Sequence, residues 1–302
     1  MNVYIKELEI NDKIDYFNKL PKFICNIIIC LVEKTNYFFI KNIDEDNKIY
    51  LVPDIEKIKV YKNIKKTLKR EKIQTQKVQA ILSEKIKKYE NELKPLYILD
   101  AKTTLIKNID EVLEKIIGDN KSEFQDIYIL TNNYINSNIN MIRKIATKVK
   151  SVNIITKELE KYNMLENILM EDGILINISN NKRKSLKKAK IIINIDFTQQ
   201  EMKNYNIYRN AIIINITKEQ IDKLNGFDGI IVQNIEVKLK KEQEKKFYNN
   251  NIINSFRNIE LYESLQKSRE ETNEKIEILY LYGNKGKISE KELINKQNIG
   301  LK

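Results

Sequence analysis

The polar side chains that could carry chemistry in this sequence lie where short apolar runs end. Five of them follow such runs directly: Asn132, Asn133, Thr156, Lys157 and Asp196. If the runs are parallel strands, their carboxyl ends meet at one edge of a sheet, which is where ligands bind in such folds. Asp196 is a candidate acid–base or substrate-orienting group. Its alternative role is to cap a helix that begins near Thr198.

The loop after a third apolar run is the most suggestive anion site. It reads Asn180, Asn181, Lys182 and Arg183, and Arg183 is one of only 6 arginines in the chain. A guanidinium group can hold a phosphate through two parallel hydrogen bonds. These four residues, with the asparagines, threonine and lysine above, are the candidate cofactor-binding set. The alternative is a polar loop that precedes a basic helix.

A second acid–base candidate lies earlier in the chain. Asp100 ends another apolar run, and Lys102 follows two residues later. A lysine and an aspartate that face each other across a cleft would suit proton transfer to a carbonyl group. Asp100, Lys102 and Asp196 are therefore the catalytic candidates, although the spacing does not by itself bring any two of them face to face.

The absence of histidine excludes several kinds of chemistry. It removes Ser-His-Asp and Cys-His catalysis and every histidine-ligated metal site, so we expect no metal. Cys25 and Cys30 match no metal-binding or redox spacing, and we expect them to be buried, reduced thiols in a cytoplasmic protein. Their apolar stretch, Ile24–Val32, is too short to span a bilayer, and the first residues lack the apolar core of a signal peptide.

The positive charge is concentrated in two segments. The net charge is +12; Lys57–Lys77 holds nine basic residues and one acid, and Lys182–Lys190 holds six basic residues and no acid. Such patches suit an anionic ligand or, as a weaker expectation, a nucleic acid. Lys57–Lys77 has little aromatic interleaving for stacking bases. The alternative is a solvated surface, because abundant Lys, Asn and Ile are typical of an AT-rich genome.

Alternating apolar runs and amphipathic segments predict an α/β fold. The six predicted strands are Ile127–Leu130, Val152–Ile155, Ile174–Ile178, Ile191–Ile195, Ala211–Ile216 and Gly229–Val232. Strands with few polar residues, separated by amphipathic helices, indicate a parallel sheet covered on both faces. Right-handed crossovers then give a Rossmann-like doubly wound sheet.

A smaller β-rich α/β domain is predicted to precede that sheet. Its main elements are strands over Met1–Ile10, Asn26–Val32, Tyr37–Ile43, Ile49–Val52, Gln79–Leu82 and Leu96–Leu99, and a helix over Thr103–Ile117 that Gly118 ends. We expect domains at residues 1–118 and 126–237, with Asp119–Gln125 as the boundary. Residues 238–302 are predicted to form a long helix that returns to the first domain, a late strand at Ile276–Tyr282, and a last helix capped by Ser289 and Glu292.

The order of these elements resembles two-domain dehydrogenases of the shikimate dehydrogenase and alanine dehydrogenase type. The stretch Lys184–Asp196 is similar to their segment before the fourth strand, where a polar helix ends in a small residue and an apolar strand follows. The resemblance covers residues 126–237, about a third of the chain, and rests on pattern. It implies a catalytic α/β domain, a Rossmann domain that binds NAD or NADP, and a C-terminal helix that returns to the first domain.

The sequence departs from that pattern at the cofactor loop. A dinucleotide fold needs glycines after the first strand, because the backbone must turn tightly and approach the pyrophosphate closely. Here the loop Thr131–Asn136 has no glycine. The second strand ends in Thr156 and Lys157 where an acid would bind the ribose; a lysine there would suit the 2′-phosphate of NADP. The missing glycines also argue against an S-adenosylmethionine methyltransferase.

Two main hypotheses remain. The first is a degenerate dehydrogenase-like protein with a binding or regulatory role, in which an anionic ligand binds at the carboxyl ends of the strands and NAD or NADP is disfavoured. The second is an NAD(P)-dependent oxidoreductase with an Asn-rich phosphate loop. A basic nucleic-acid-associated protein is a third, weaker hypothesis, and the sequence is compatible with a homo-oligomer. We favour the first, because the glycine loop, the histidines and the ribose acid are all missing.

Overall fold

The computed structural model describes the chain in two compact units. It covers residues 1–302 apart from 8–19, 36–38, 53–59, 71–73, 75–77, 94–95, 119–125, 172, 174, 249–254, 267–275 and 294–302. Unit 1 comprises Met1–Asp100 and Leu239–Thr272, and unit 2 comprises Ala101–Lys238 and Asn273–Lys302. The predicted boundary at residues 119–125 lies outside the described residues.

The helices and strands are numbered here in chain order. The strands are β1 Asn2–Glu7, β2 Phe39–Asn42, β3 Asn47–Val52, β4 Gln79–Leu82, β5 Tyr97–Ile98, β6 Asp126–Leu130, β7 Ser151–Ile155, β8 Leu175–Ser179, β9 Ile191–Asn194, β10 Ile212–Asn215, β11 Ile230–Val232, β12 Asn234–Val237, β13 Ile278–Gly283 and β14 Gly286–Ile288. The helices are α1 Lys22–Thr35, α2 Val60–Arg70, α3 Glu90–Leu93, α4 Lys102–Lys107, α5 Ile109–Ile117, α6 Asn136–Ala146, α7 Leu159–Glu171, α8 Gln199–Met202, α9 Lys241–Tyr248 and α10 Asn258–Gln266. A short 3₁₀ helix covers Ile86–Tyr89.

Unit 1 is built on a mixed sheet with the strand order β2-β3-β1-β4-β5. Strand β2 runs antiparallel to β3, while β3, β1, β4 and β5 pair in parallel. Val3 and Ile5 on one face of β1 pack with Ile64 and Leu68 of α2 in an apolar cluster. The cations of α2 therefore project from a helix whose apolar side is buried.

The other face of β1 is polar and buried. Tyr4 hydrogen-bonds through its hydroxyl to Ser264 Oγ of α10 at 2.9 Å, and Lys6 Nζ donates to Ser255 Oγ at 3.3 Å. Glu260 of the same helix is buried and forms a 2.6 Å ion pair with Lys87. The Tyr4 contact attaches α10 to the sheet of unit 1, and the Lys87 ion pair attaches it to the 3₁₀ helix; the sequence pattern did not reveal these polar contacts.

One predicted strand of unit 1 is wrong. The stretch predicted as a strand at Asn26–Val32 lies inside the 14-residue helix α1. An apolar run does not by itself distinguish a buried strand from a helix, and here the regular segment is too long for an ordinary strand. Cys25 is partly exposed and Cys30 is exposed, so the expectation that both thiols are buried is also wrong; both are free.

Unit 2 contains a six-stranded parallel sheet in the order β11-β10-β9-β6-β7-β8. The strands can be read from β8 to β11 and numbered by their order along the chain. Their order is then third, second, first, fourth, fifth and sixth, which is the doubly wound Rossmann order. The predicted fold class is therefore confirmed. The isoleucine-rich strands β9 and β10 are buried throughout, because helices and loops cover both faces of the sheet.

The crossover helices follow the predicted apolar spacing. Ile139 and Ile142 face inward from α6, and Tyr162, Leu165 and Leu169 face inward from α7. All six predicted strands are present within one or two residues of their expected bounds. A second sheet of unit 2 has the order β12-β13-β14, and the expected capping box forms between Ser289 and Glu292.

Three predicted helices differ from the structure. The helix expected over Thr103–Ile117 is divided into α4 and α5 at Asn108, whose ψ of 32° is not helical. The long helix expected through Phe247–Tyr262 is instead α9 and α10, with non-helical residues at 255–257 between them. The basic helix expected after Arg183 is a series of turns over residues 182–188. Like charges four residues apart, as at Arg183 and Lys187, destabilise a helix, which explains the last difference.

Candidate functional site

The loop after β6 is held by an aspartate from the neighbouring strand. Asp196 Oδ1 accepts a hydrogen bond from the backbone N–H of Asn132 at 2.7 Å, and its Oδ2 accepts one from the N–H of Asn133 at 2.9 Å. Thr131 Oγ1 donates to Oδ2 at 3.0 Å. One carboxylate thus accepts two backbone N–H groups and one hydroxyl of the loop that precedes α6, and consecutive backbone N–H groups of this kind bind anions.

Asp196 does not cap α8, so that alternative is wrong. Thr198 is the N-cap: its hydroxyl accepts from the N–H of Glu201, and the Glu201 carboxylate accepts from the N–H of Thr198 at 2.9 Å. This reciprocal pair is a capping box, which the spacing of Thr198 and Glu201 allowed one to find. The carboxylate of Asp196 is free to turn towards the loop after β6 because another residue caps the helix.

Glu201 also closes the loop after β7. Lys157 Nζ forms an ion pair with Glu201, and the backbone N–H of Lys157 donates to Asn132 Oδ1 at 2.9 Å. Partial burial by itself raises the pKa of Glu201, but the hydrogen bonds from Lys157 and Thr198 and the charge of Lys157 together outweigh it, so the net pKa is lowered. The same hydrogen bond raises the pKa of Lys157. The ammonium that would face a 2′-phosphate is thus already paired with a carboxylate.

Tyr162 of α7 supports the same loop, which itself contains a second tyrosine, Tyr134. Tyr162 donates to the carbonyl oxygen of Asn133 at 3.1 Å and lies 3.2 Å from Thr131 Oγ1. Burial raises the pKa of Tyr162, so its hydroxyl keeps the proton that it donates. The ring of Tyr134 meets the Tyr162 ring edge to face at 5.1 Å between centroids. Thr156 is buried, and its hydroxyl accepts from the N–H of Glu158, which turns the chain towards α7.

A series of hydrogen-bonded amide side chains, called the amide chain below, begins at the carboxyl ends of β9 and β10. Asn194 donates to Asn215 at 2.9 Å, Asn215 donates to Gln233 at 2.7 Å, and Gln233 donates to Asn284 at 2.9 Å. Asn284 in turn donates to the Ile221 carbonyl oxygen at 2.6 Å. Sequence reasoning missed this chain, although a signal was present: Asn194 and Asn215 each end the same four-residue run, Ile-Ile-Ile-Asn, and they pair in register.

Lys102 lies at this same end of the sheet. Its Nζ donates to the carbonyl oxygens of Asn215 at 2.8 Å and Gln233 at 2.9 Å. Asp100 follows β5 in unit 1 and is partly buried. The structure thus places the Lys102 ammonium on backbone carbonyls in unit 2, and the catalytic roles of Asp100, Lys102 and Asp196 stay predictions.

The third candidate loop forms an exposed turn. Asn180, Asn181, Lys182 and Arg183 are all exposed after β8. The side-chain oxygen of Asn181 accepts from the backbone N–H groups of Arg183 and Lys184, each at 3.1 Å. The loop after β8 adjoins the loop after β7 through one backbone bond, from Thr156 N–H to the Ser179 carbonyl oxygen at 3.0 Å.

A cleft of about 660 Å³ lies between residues 222–231 and the β13–β14 hairpin, and Asn284 of the amide chain is one of its lining residues. Its walls carry both signs of charge, including Asp228, Lys285, Lys287 and Glu292. Asp228 is paired with Arg209, and the Lys287 ammonium lies over the Tyr280 ring. This mixture favours no single class of charged ligand.

Two features are absent from the residues that the structure describes. They contain no group of three or more Cys, Asp or Glu side chains placed to hold a metal ion. No helix within the described ranges combines the length and apolar character needed to cross a membrane.

Comparison with known proteins gives structural neighbours only. The sequence matches no protein-family model and no curated protein. Shikimate dehydrogenase from Mycobacterium tuberculosis is similar at 6% identity and a TM-score of 0.27, over 47% of this chain and 55% of its own length. L-tryptophan dehydrogenase from Nostoc punctiforme matches at 9% identity and a TM-score of 0.30, over 83% of this chain and 68% of that one. A shikimate 5-dehydrogenase-like protein matches at 7% identity and a TM-score of 0.29, over 99% and 97%.

The three neighbours are thus a shikimate dehydrogenase, an amino-acid dehydrogenase and a shikimate 5-dehydrogenase-like protein. The chain spans about half the length of the first of them. Because every TM-score is below 0.5, the strand order of the six-stranded sheet, and not these matches, is what defines the fold of unit 2.

Proposed function

We propose that this chain is a degenerate member of the dehydrogenase-like Rossmann group, with a binding or regulatory role and without conventional NAD(P) binding. One observation carries the proposal: the Asp196 carboxylate accepts the backbone N–H groups of Asn132 and Asn133. In a dinucleotide-binding fold, the N–H groups of this loop face the pyrophosphate. Here a carboxylate from the same chain takes them.

The charge of Asp196 strengthens the argument. A pyrophosphate that approached the loop would meet a carboxylate of the same sign and would have to displace it from three hydrogen bonds. Lys157 offers little compensation, because Glu201 already neutralises it. The geometry of the loop after β6 therefore supports a role in binding a partner more than a role as an NAD(P)-dependent oxidoreductase.

Calorimetry and thermal unfolding of the full chain with NADP, NADPH, NAD and NADH test the proposal. We expect no heat of binding and no rise in Tm at millimolar cofactor. A ligand present at 100 times its Kd stabilises the folded state by about 2.7 kcal/mol, which a thermal scan resolves easily. A clear rise in Tm with NADPH would contradict the proposal and favour the oxidoreductase hypothesis.

The variant Asp196→Ser provides the positive control. It removes the internal anion and releases the N–H groups of Asn132 and Asn133. We expect inorganic phosphate to raise the Tm of this variant, measured against its own unliganded Tm, more than that of the wild type. Equal responses in both proteins would show that Asp196 does not fill an anion site.

A further inference from the structure

The turn over residues 182–188, called the basic turn below, carries five exposed cations. They are Lys182, Arg183, Lys184, Lys187 and Lys188. Among the described residues, none of the five forms an ion pair, whereas other cations of unit 2 do. Lys144 is paired with Asp110, for example, and Lys157 with Glu201. The basic turn thus groups five exposed cations within seven residues without an acidic partner among the described residues.

The backbone of the basic turn is firmly attached to the core. Leu186 and Ala189 are fully buried in the same apolar cluster as Phe197 and Ile213. The Leu186 carbonyl oxygen accepts from the N–H of Tyr208 at 2.9 Å, and the Lys182 carbonyl oxygen accepts from the N–H of Asn206 at 3.0 Å. A partner would therefore bind cations on an ordered backbone, which lowers the entropy lost on binding.

The side chains of the basic turn suit some classes of anionic partner better than others. Its one large apolar side chain, Leu186, points into the core, so the surface offers nothing to insert into a bilayer, where peripheral binding relies on buried apolar area as well as charge. Five cations within seven residues exceed what one phosphate group requires, and they suit a polymer with a charge on every unit. The exposed amides of Asn180 and Asn181 add hydrogen-bond donors of the kind that contact phosphate and sugar.

We propose that the basic turn binds the phosphodiester backbone of a nucleic acid without reading its sequence. The proposal names a partner for the binding role proposed above and rests on that role. Residues 180–190 contain no aromatic side chain, so base stacking contributes nothing and duplex binds at least as well as single strand. The expected binding is electrostatic and weakens steeply with salt.

Fluorescence anisotropy of a labelled mixed-sequence DNA duplex, titrated with the full chain at several salt concentrations, tests the proposal. Each neutralised phosphate contributes a slope of about −0.9 to log K against log salt, so five contacts give up to about −4.5. The double variant Lys187→Glu/Lys188→Glu should make the slope shallower by about 2 and weaken binding at low salt by at least tenfold, on the order expected for two lost contacts.

Two matched controls locate the contact. Lys115→Glu/Lys150→Glu makes the same change in net charge at exposed positions of unit 2 that form no ion pair within the described part of the chain, and it should leave the slope nearly unchanged. Lys65→Glu/Lys66→Glu makes the same change in net charge on the exposed side of α2 in unit 1. Circular dichroism melts check that each variant is folded; if a glutamate variant unfolds, Lys187→Gln/Lys188→Gln replaces it, with a smaller loss of binding.

Several outcomes would overturn the proposal. They are the absence of binding, binding that ignores salt, equal losses in the turn variant and the Lys115/Lys150 control, and losses confined to the α2 variant. Tighter binding to poly-glutamate or to phosphatidylserine vesicles than to DNA would assign the turn to another class of partner. The dinucleotide titration is independent of this one, so a positive NADPH result with intact DNA binding would remove the proposed function while leaving the basic turn as a nucleic-acid surface.

Discussion

The loop after β6 and the basic turn after β8 lie at the same edge of one sheet, yet their polar groups are used in opposite ways. In the first, the donors of Thr131, Asn132 and Asn133 all meet Asp196. In the second, the backbone is fixed by Leu186 while five cations point to solvent without an acidic partner among the described residues. Hydrogen-bond donors that find an acceptor within the chain stabilise the fold and are not available to a ligand. Exposed cations without an acidic partner, held on a fixed backbone, form a surface that can bind an anionic partner.

The buried anchor of the basic turn should show the largest effect on stability. Leu186 is fully buried in the core of unit 2, so Leu186→Ala should lower the free energy of unfolding by about 2–5 kcal/mol. Urea unfolding measures this loss. Lys184→Ala, two residues away and exposed, is the control and should stay within about 0.5 kcal/mol of wild type. A small loss for Leu186→Ala would mean that the turn is not anchored as described.

The internal anion of the closed loop should show the next largest effect. Asp196→Ala removes a charged acceptor from three donors and should lower the free energy of unfolding by about 2 kcal/mol. Asp196→Asn keeps the size but directs an amide N–H group at other donors, so we expect a comparable loss. If both variants match the wild type in urea unfolding, the carboxylate does not hold the loop.

The ion pair between Lys157 and Glu201 should contribute less and in a pH-dependent way. Because the pKa of Glu201 is lowered in the folded state, its contribution is complete above its ordinary pKa of 4.5 and disappears as the pH falls through the lower folded value. Glu201→Gln keeps the capping geometry and removes the charge. We expect a loss of about 0.5 kcal/mol at neutral pH that vanishes in acid, measured by urea unfolding across pH. A loss that is constant with pH would assign the effect to the cap.

The exposed cations of the basic turn should contribute nothing to folding. Since no acidic partner of Lys187 or Lys188 lies among the described residues, Lys187→Glu/Lys188→Glu should change the free energy of unfolding by less than about 0.5 kcal/mol. The same variant is expected to lose nucleic acid binding, so stability and binding separate at this surface. A marked destabilisation would show that the turn has a structural role, and the comparison between the two loops would then fail.

The sequence alone determined the six-stranded sheet of unit 2. Isoleucine-rich runs such as Ile191–Asn194 and amphipathic helices such as α7 carry a periodicity that local chemistry imposes, so six strands and their crossovers were predictable. The sequence also showed directly that no glycine lies between Thr131 and Asn136. The helix α1 was not predicted, because periodicity alone does not separate a buried strand from an apolar helix.

Only the tertiary structure decided where the polar groups point. Asp196 could cap a helix or face a loop 63 residues earlier, and the choice depended on Thr198 taking the cap and on β6 and β9 lying side by side. The amide chain from Asn194 to Asn284 and the polar face of β1 depend in the same way on pairings distant in sequence. Hydrogen bonds are short and directional, so their partners are fixed by the three-dimensional arrangement of the strands rather than by spacing along the chain.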